Sequence, residues 1–295
     1  MNNPKSLQET FTLKNGQKIP VMGFGTFNLG ASHETVTDCI CHAAELGYRF
    51  FDTASVYMNE QGVGEGLRRS GIPREELFVS SKVWNQDQGY EGTIAAVHET
   101  LQDMKTDYLD LYLIHWPIAF GHDDDWKIMV SETWRAMTEL YHAGVIRALG
   151  VSNFMQHHLA VLDHEDVPVM ANELERNLGY PQEDIHHYCH DQGIVTISYS
   201  PIQGINQDRP LIRTLCSKYG KTAAQIVLRW HLQLGSIPIP RSYNYEHMQS
   251  NLEVFDFELT QEEVVAISSL EDLAVRRNHP DTNRVNLDRH KWVKV

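Results

Sequence analysis

FFDTASVYMNE, residues 50–60, carries the pattern that decides the fold. It is an apolar run that stops at an acid, Asp52, with a phenol five residues on at Tyr57. Continuous apolar residues mark a strand covered on both faces, as parallel strands are. A polar residue directly after the run marks where the strand opens on a mouth. The pattern recurs along the chain. Strand-like runs begin at Val21 (VMGFGT), Tyr48 (YRFFDTA), Leu77 (LFVSSKV), Tyr108 (YLDLYLIHW), Ile146 (IRALGVSN), Pro168 (PVMANELE), Ile194 (IVTISYSP) and Ser236 (SIPIPRS). Between them lie segments of helical period, such as TIAAVHETLQDM from Thr93 and TAAQIVLRWHLQ from Thr222. Gly47, Gly144, Gly193 and Gly235 fall where helices should stop. Eight strand–helix repeats predict a closed (β/α)8 barrel, the TIM-barrel form of an α/β fold. An open doubly wound sheet is the competing architecture, but no Gly-x-Gly-x-x-Gly follows the first strand.

The ends of the chain add to this plan. FTLKNGQKIP predicts an N-terminal β-hairpin turning at Asn15-Gly16, both residues tolerating positive φ. ELTQEEVV from Glu258 opens an extra C-terminal helix with a Thr-x-x-Glu capping box, followed by a polar tail. No linker or low-complexity tract divides the sequence, so residues 1–295 read as a single barrel domain.

Composition excludes several roles. Hydrophobic residues make up 42%, too many for a disordered chain. The net charge of −14 repels phosphate backbones and anionic lipid, so neither nucleic acid nor membrane is an expected partner. There is no signal-peptide pattern and no apolar stretch of membrane-spanning length. Cys39, Cys41, Cys189 and Cys216 form no CxxC and are read as reduced thiols, which points to the cytoplasm. His186, Cys189 and His190 share a helical segment, but no fourth ligand or closed set accompanies them, and no metal site is expected.

The strand ends carry the chemistry. In such a barrel the site lies where strands end. There stand Asp52 with Tyr57, Lys82, His115, Ser152-Asn153, Asn172-Glu173, Tyr199-Ser200 and Arg241-Ser242. Singly, each has a structural explanation: an ion pair, a core histidine, a rim phenol. Together they bring acid, phenol, amine and imidazole to one mouth. A free phenol is a poor acid at neutral pH, and a nearby ammonium lowers its pKa. A buried lysine needs a carboxylate to stay charged. An imidazole beside the phenol can orient a carbonyl oxygen. The set can polarise and protonate a carbonyl, but it supplies no electrons.

At this point the sequence resembles the aldo-keto reductase superfamily. The blocks GFGTF at Gly23, DTASVYMNE at Asp52, SKVWN at Ser81, DLYLIHWP at Asp110, GVSNF at Gly150, SYSP at Ser198 and IPRS at Ile239 carry the likeness over nearly the whole chain. SKVWNQDQGYEGT is most similar to bacterial glyoxal and methylglyoxal reductases, with 2,5-diketo-gluconate reductases nearby. The resemblance implies hydride transfer from an extended NADP(H) to an aldehyde or ketone: small aldehydes, ketoaldehydes or sugar-like carbonyls. Tyr57 would be the general acid, tuned by Lys82 and Asp52, with His115 orienting the substrate. Ser152, Asn153 and Glu173 would meet the carboxamide, and Tyr199 would stack on the ring. Thr26, Ser200 and Ile202 would complete the nicotinamide and pyrophosphate contacts. Arg241, Ser242, His247 and Asn251 would hold the adenosine end. Phe27, Trp84 and Trp116 would wall the substrate pocket. A monomer is implied.

The sequence departs from the family pattern in two places. Glu173 stands where glutamine is usual, placing a carboxyl beside a ring that becomes positive on oxidation. Arg241 and His247 stand where lysine and arginine are common. Arg241 can still grip a phosphate bidentately, so NADPH is preferred and NADH remains possible. The tail RRNHPDTNRVNLDRHKWVKV, from Arg276, is expected over the mouth, selecting substrate. The competing role is a nucleotide-sensing or regulatory protein that binds the cofactor with little turnover.

Overall fold

The computed structural model describes residues 3–30, 32–119, 121–205, 208–270 and 279–282. The eight expected runs become eight parallel strands. They are β3 (Gly23–Gly25), β4 (Phe50–Asp52), β5 (Phe78–Val83), β6 (Leu111–Ile114), β7 (Leu149–Ser152), β8 (Ala171–Glu175), β9 (Val195–Tyr199) and β10 (Ile237–Pro238). Their order in the sheet is their order in the chain, each pairing with the next. Gly25 then donates to the Pro240 carbonyl at 3.1 Å, joining the first strand to the residues after the last. A Cβ at Gly25 would lie 2.8 Å from the Ile239 carbonyl oxygen, so the close approach that shuts the barrel requires glycine there.

Strands β4 to β8 are buried at every position, so none of them alternates between buried and exposed residues. Helices α1 (His33–Leu46), α2 (Glu60–Arg69), α3 (Tyr90–Met104) and α4 (Trp126–His142) surround the first half of the sheet. Helices α5 (Gln156–Leu159), α6 (Glu183–Asp191), α7 (Pro210–Tyr219), α8 (Ala223–Gln233) and α9 (Tyr245–Leu252) accompany the second. The extra helix α10 (Gln261–Ser268) begins at the capping box read from the sequence, with Thr260 and Glu263 each accepting from the other's backbone N–H. Helices α1, α4, α6 and α8 stop within two residues of the glycines expected to end them.

The N-terminal hairpin, β1 (Thr10–Thr12) with β2 (Lys18–Pro20), is present and antiparallel. Its turn differs from expectation. Gly16 has φ 88°, but Asn15 is absent from the residues at positive φ. The loop is longer than two residues, closed by Leu13 donating to Gln17 at 2.9 Å. Asn15 serves through its side chain, accepting from the Gln17 N–H at 3.1 Å and donating to the Arg147 carbonyl at 2.8 Å. Gln17 reaches the Asp110 carbonyl at 3.4 Å. Both carbonyls precede strands β6 and β7, so the hairpin caps the end of the barrel opposite the site.

Candidate active site

Asp52 closes β4, and the chain turns sharply after it. A single helical turn over Ser55–Tyr57 follows, ended by Met58 at φ 54°. Asn59 staples this loop by donating to the Thr26 carbonyl at 2.8 Å and accepting from the Thr53 hydroxyl at 3.1 Å. Ser55 Oγ donates to the Lys82 carbonyl at 3.1 Å. These ties fold Tyr57 back over the mouth, with Lys82 Nζ 5.3 Å from its ring centroid.

Lys82 is fully buried near the end of β5. Its ammonium donates to Asp52 Oδ1 at 2.7 Å, to Asp52 Oδ2 at 2.6 Å and to the Thr53 carbonyl at 3.0 Å. Ser80 Oγ also donates to Asp52 Oδ1, at 2.6 Å. A second carboxyl completes the cluster: Glu173 Oε2, from β8, lies 3.3 Å from Lys82 Nζ. Burial strongly disfavours the ammonium, but Asp52, Glu173 and Tyr57 outweigh it and raise Lys82 above the ordinary lysine range. The expectation that Asp52 keeps Lys82 charged therefore agrees with the geometry.

The expected acidification of Tyr57 does not. Burial pushes the phenol above its ordinary range. Lys82 pulls the other way, but its charge is shared with Asp52 and Glu173, and those two acids oppose it. Tyr57 is thus a phenol held protonated in the resting site. His115 is lowered well below the ordinary histidine range, by burial first and by the Lys82 charge second, and so is a neutral imidazole. Its ring stands edge-on to Tyr57 at 5.8 Å and to Trp84 at 5.0 Å between centroids.

The second half of the barrel builds the rest of the mouth. Ser152 Oγ donates to the Glu173 carbonyl at 3.0 Å. Asn153, at φ 63°, donates to the His115 carbonyl at 3.0 Å and accepts from the Tyr199 hydroxyl at 2.9 Å. The Tyr199 ring is thereby pinned as one wall. Thr26, Phe27, Tyr57, Trp84, His115 and Trp116 lie along one cleft of about 770 Å³ with Asn153, Glu173 and Tyr199. Phe27 packs against Tyr57 at 5.0 Å and is 43% exposed, a rim position. Ser200, Ile202, Arg241 and Ser242 continue the same cleft outwards. Arg241 and Ser242 lie beyond the short β10, not on it. Arg241 donates to the Asn28 carbonyl at 3.2 Å and to the Tyr243 hydroxyl at 3.0 Å. His247 is exposed on the first turn of α9, whereas Asn251 of the same helix is buried. Neither His247 nor Asn251 lines the cleft, and nor does Ser152, which supports it from behind.

The model of the Aldo/keto reductase family matches residues 21–272. This chain belongs to the aldo/keto reductase family. The glyoxal reductase of Bacillus subtilis (strain 168) is 44% identical over 269 residues, 90% of this chain and 94% of that protein. The methylglyoxal reductase DkgA of Escherichia coli O157:H7 is 38% identical over 277 residues, 92% of this chain and 95% of that protein. Among solved structures, a Bombyx mori aldo-keto reductase in complex with NADP is 34% identical, covers 92% of this chain and 98% of its own, and superposes with a TM-score of 0.83. Oxidoreduction is the chemistry of the family, and among the described residues of this reductase no helix is long and apolar enough to cross a membrane.

Several residues of the reductase's cleft escaped the sequence reading: Val56, Glu175, Ile239 and Tyr243. Glu175 had a usable signal, since it lies two residues from Glu173 on one strand and so on the same face. Tyr243 had none, because its link to Arg241 depends on the loop's path. The expected tail over the mouth lies outside the described residues, except for 279–282. There Asp281 Oδ1 meets His157 Nε2 at 3.0 Å and His158 Nε2 at 3.1 Å. These three could gather round a cation by distance alone. However, His158 Nδ1 accepts from the Met155 N–H at 3.1 Å, so the neutral ring carries its proton on Nε2 and has no lone pair there for a metal. His186 is likewise committed, its two ring nitrogens bonded to Thr196 Oγ1 at 3.1 Å and the Leu234 carbonyl at 3.0 Å.

Proposed function

We propose that this reductase transfers hydride from NADPH to small aldehydes and ketoaldehydes, with Tyr57 as the general acid, acting as a cytoplasmic monomer. The observation that carries the reading is the packing of a protonated phenol, an ammonium and a neutral imidazole around one cleft. The reduced nicotinamide would supply the electron pair as hydride. The residues fit such a ring. Thr26 Oγ1 and His115 Nδ1 are buried without a hydrogen-bond partner. Buried polar atoms of this kind are costly unless a ligand satisfies them. Asn153 and Glu173 would hold the carboxamide, supported from behind by Ser152, and Tyr199 the ring face. Ser200 and Ile202 would lie along the pyrophosphate. Arg241 and Ser242 would take the adenosine phosphate, with His247 and Asn251 close by.

Each protein group then has a task. His115, neutral, can donate one hydrogen bond to the carbonyl oxygen without competing for the proton. Tyr57 gives that oxygen its proton as charge develops on it. Lys82 stabilises the phenolate left behind, and Asp52 keeps Lys82 oriented and charged. Trp84 and Trp116 give the cleft an aromatic wall suited to a small, compact substrate.

The test is consumption of NADPH, followed by the loss of its near-ultraviolet absorbance, with glyoxal, methylglyoxal and longer aldehydes. Turnover is expected with the small dicarbonyls. Tight nucleotide binding with no turnover across the panel would instead favour a nucleotide-sensing role. A second expectation concerns the cofactor. An imidazole that meets the 2′-phosphate would favour NADPH over NADH. His247→Ala should therefore lower that preference. A ratio of the two affinities that the substitution leaves unchanged would remove His247 from phosphate recognition.

A further inference from the structure

Lys82 faces two acids, and only one of them is needed to balance it. Asp52 grips the ammonium with both oxygens and is itself held by Ser80. Glu173 reaches the same nitrogen from across the barrel with one oxygen, at 3.3 Å. Its residue is 1% exposed and lines the cleft. The charged and titratable groups around it are Asp52 on β4, Tyr57 in the loop after it, Lys82 on β5, His115 after β6, Tyr199 on β9 and Glu175 two residues along its own strand. One cation among two buried carboxyls leaves an excess negative charge in the cluster. Burial, and then the neighbouring Asp52, raise Glu173 well above the ordinary carboxyl range.

We propose that Glu173 exchanges a proton with each turnover, neutral beside the reduced nicotinamide and ionised beside the oxidised one. The inference rests on the placement of the nicotinamide given above. Its logic is charge balance. With the neutral reduced ring, a neutral Glu173 leaves Asp52 and Lys82 as a balanced pair. Oxidation puts one positive charge on the ring, and an ionised Glu173 cancels it. The proton ledger closes as well. The carbonyl carbon gains hydride, and its oxygen gains the proton of Tyr57. The phenolate recovers a proton from Lys82 Nζ, and Lys82 recovers one from the Glu173 carboxyl. After the oxidised cofactor leaves, the carboxylate takes a proton from water.

The experiment compares NADP⁺ and NADPH affinity across pH, and their ratio is the readout. The ratio cancels titration at the adenosine end, because the phosphate is common to both forms. A group that loses its proton on binding the oxidised form makes that affinity rise with pH, by up to about tenfold per unit where the release is complete. Wild-type protein should show the ratio rising in favour of NADP⁺ as pH increases, with release of up to one proton on NADP⁺ binding, measured by an indicator dye in weak buffer. Glu173→Gln, which is isosteric and uncharged, should flatten the ratio and abolish the release. Tyr57→Phe should keep both, which separates Glu173 from the phenol. The wild-type infrared band of a protonated carboxyl should vanish with NADP⁺ and persist with NADPH, a test that needs no variant. Equal slopes in wild type and Glu173→Gln, or no proton release from wild type, would overturn the proposal while leaving the reductase reading intact. Failure of either nucleotide to bind would overturn both.

Discussion

Tyr57→Phe is expected to lower kcat by about 10²–10⁴-fold, the usual worth of a positioned proton donor, with nucleotide affinity unchanged. The change removes one oxygen and leaves the ring. Its packing against Phe27 at 5.0 Å and His115 at 5.8 Å is retained, so the cleft keeps its shape. What is lost is the hydroxyl proposed as the proton donor, on the ring beside Lys82 Nζ. Burial holds the phenol protonated, so its donor form extends further into alkaline pH than a free phenol's. The reduction rate should accordingly show no Tyr57-dependent decline below about pH 10, the ordinary phenol value. Steady-state kinetics and a fluorescence titration of the nucleotide, run on the same preparation, decide the matter. A variant with wild-type kcat would exclude Tyr57 as the acid. One that loses nucleotide affinity in step with kcat would make Tyr57 a binding group instead.

The second large effect is expected from Lys82→Met, and it falls on folding as well as turnover. The methionine fills much of the lysine's volume, but the ammonium that joins Asp52 and Glu173 is gone. Removing one member of a buried ionic cluster typically costs about 3–5 kcal/mol, because the partners stay buried and uncompensated. The sign with pH follows. Without the cation, Glu173 loses the charge that opposes its burial and stays all the more above the carboxyl range of the unfolded chain. Such a group favours folding when protonated, and that contribution is lost as pH rises. The stability deficit should therefore be full at neutral pH and shrink as pH falls toward about 4, the unfolded carboxyl range. Urea unfolding at neutral and mildly acid pH measures it. Turnover should fall by roughly 10²–10³-fold, as when a preorganised electrostatic partner is removed from a developing anion. A deficit that is constant with pH would mean that lost packing, not lost charge, is responsible.

The two variants probe different parts of one argument. In the proposed mechanism Tyr57 is where the proton leaves and Lys82 is what makes its departure tolerable. Glu173, as proposed, would extend the same chain by one member.

Much of this was legible in the residue order. A strand buried on both faces must be apolar along its length, so the eight runs were visible without coordinates. Once their number implied a barrel, the residue ending each run had to stand at one mouth. Asp52, Lys82 and His115 were placed together on that ground alone, although 63 residues separate the first from the last. Helix ends were legible too, because glycines and the Thr260 capping box act through their own backbone neighbours. Only the tertiary structure decided the rest. Glu173 meets Lys82 across the interior, from a strand three places away in the sheet, and only the curvature of a closed barrel creates that contact. The net direction of the Tyr57 shift depends on burial weighed against three charges at particular distances, which no local pattern encodes. Asn15 tells the same story on a smaller scale. Its pairing with Gly16 announced a turn, but the carbonyl of Arg147, distant in sequence, gave its side chain the partner it uses.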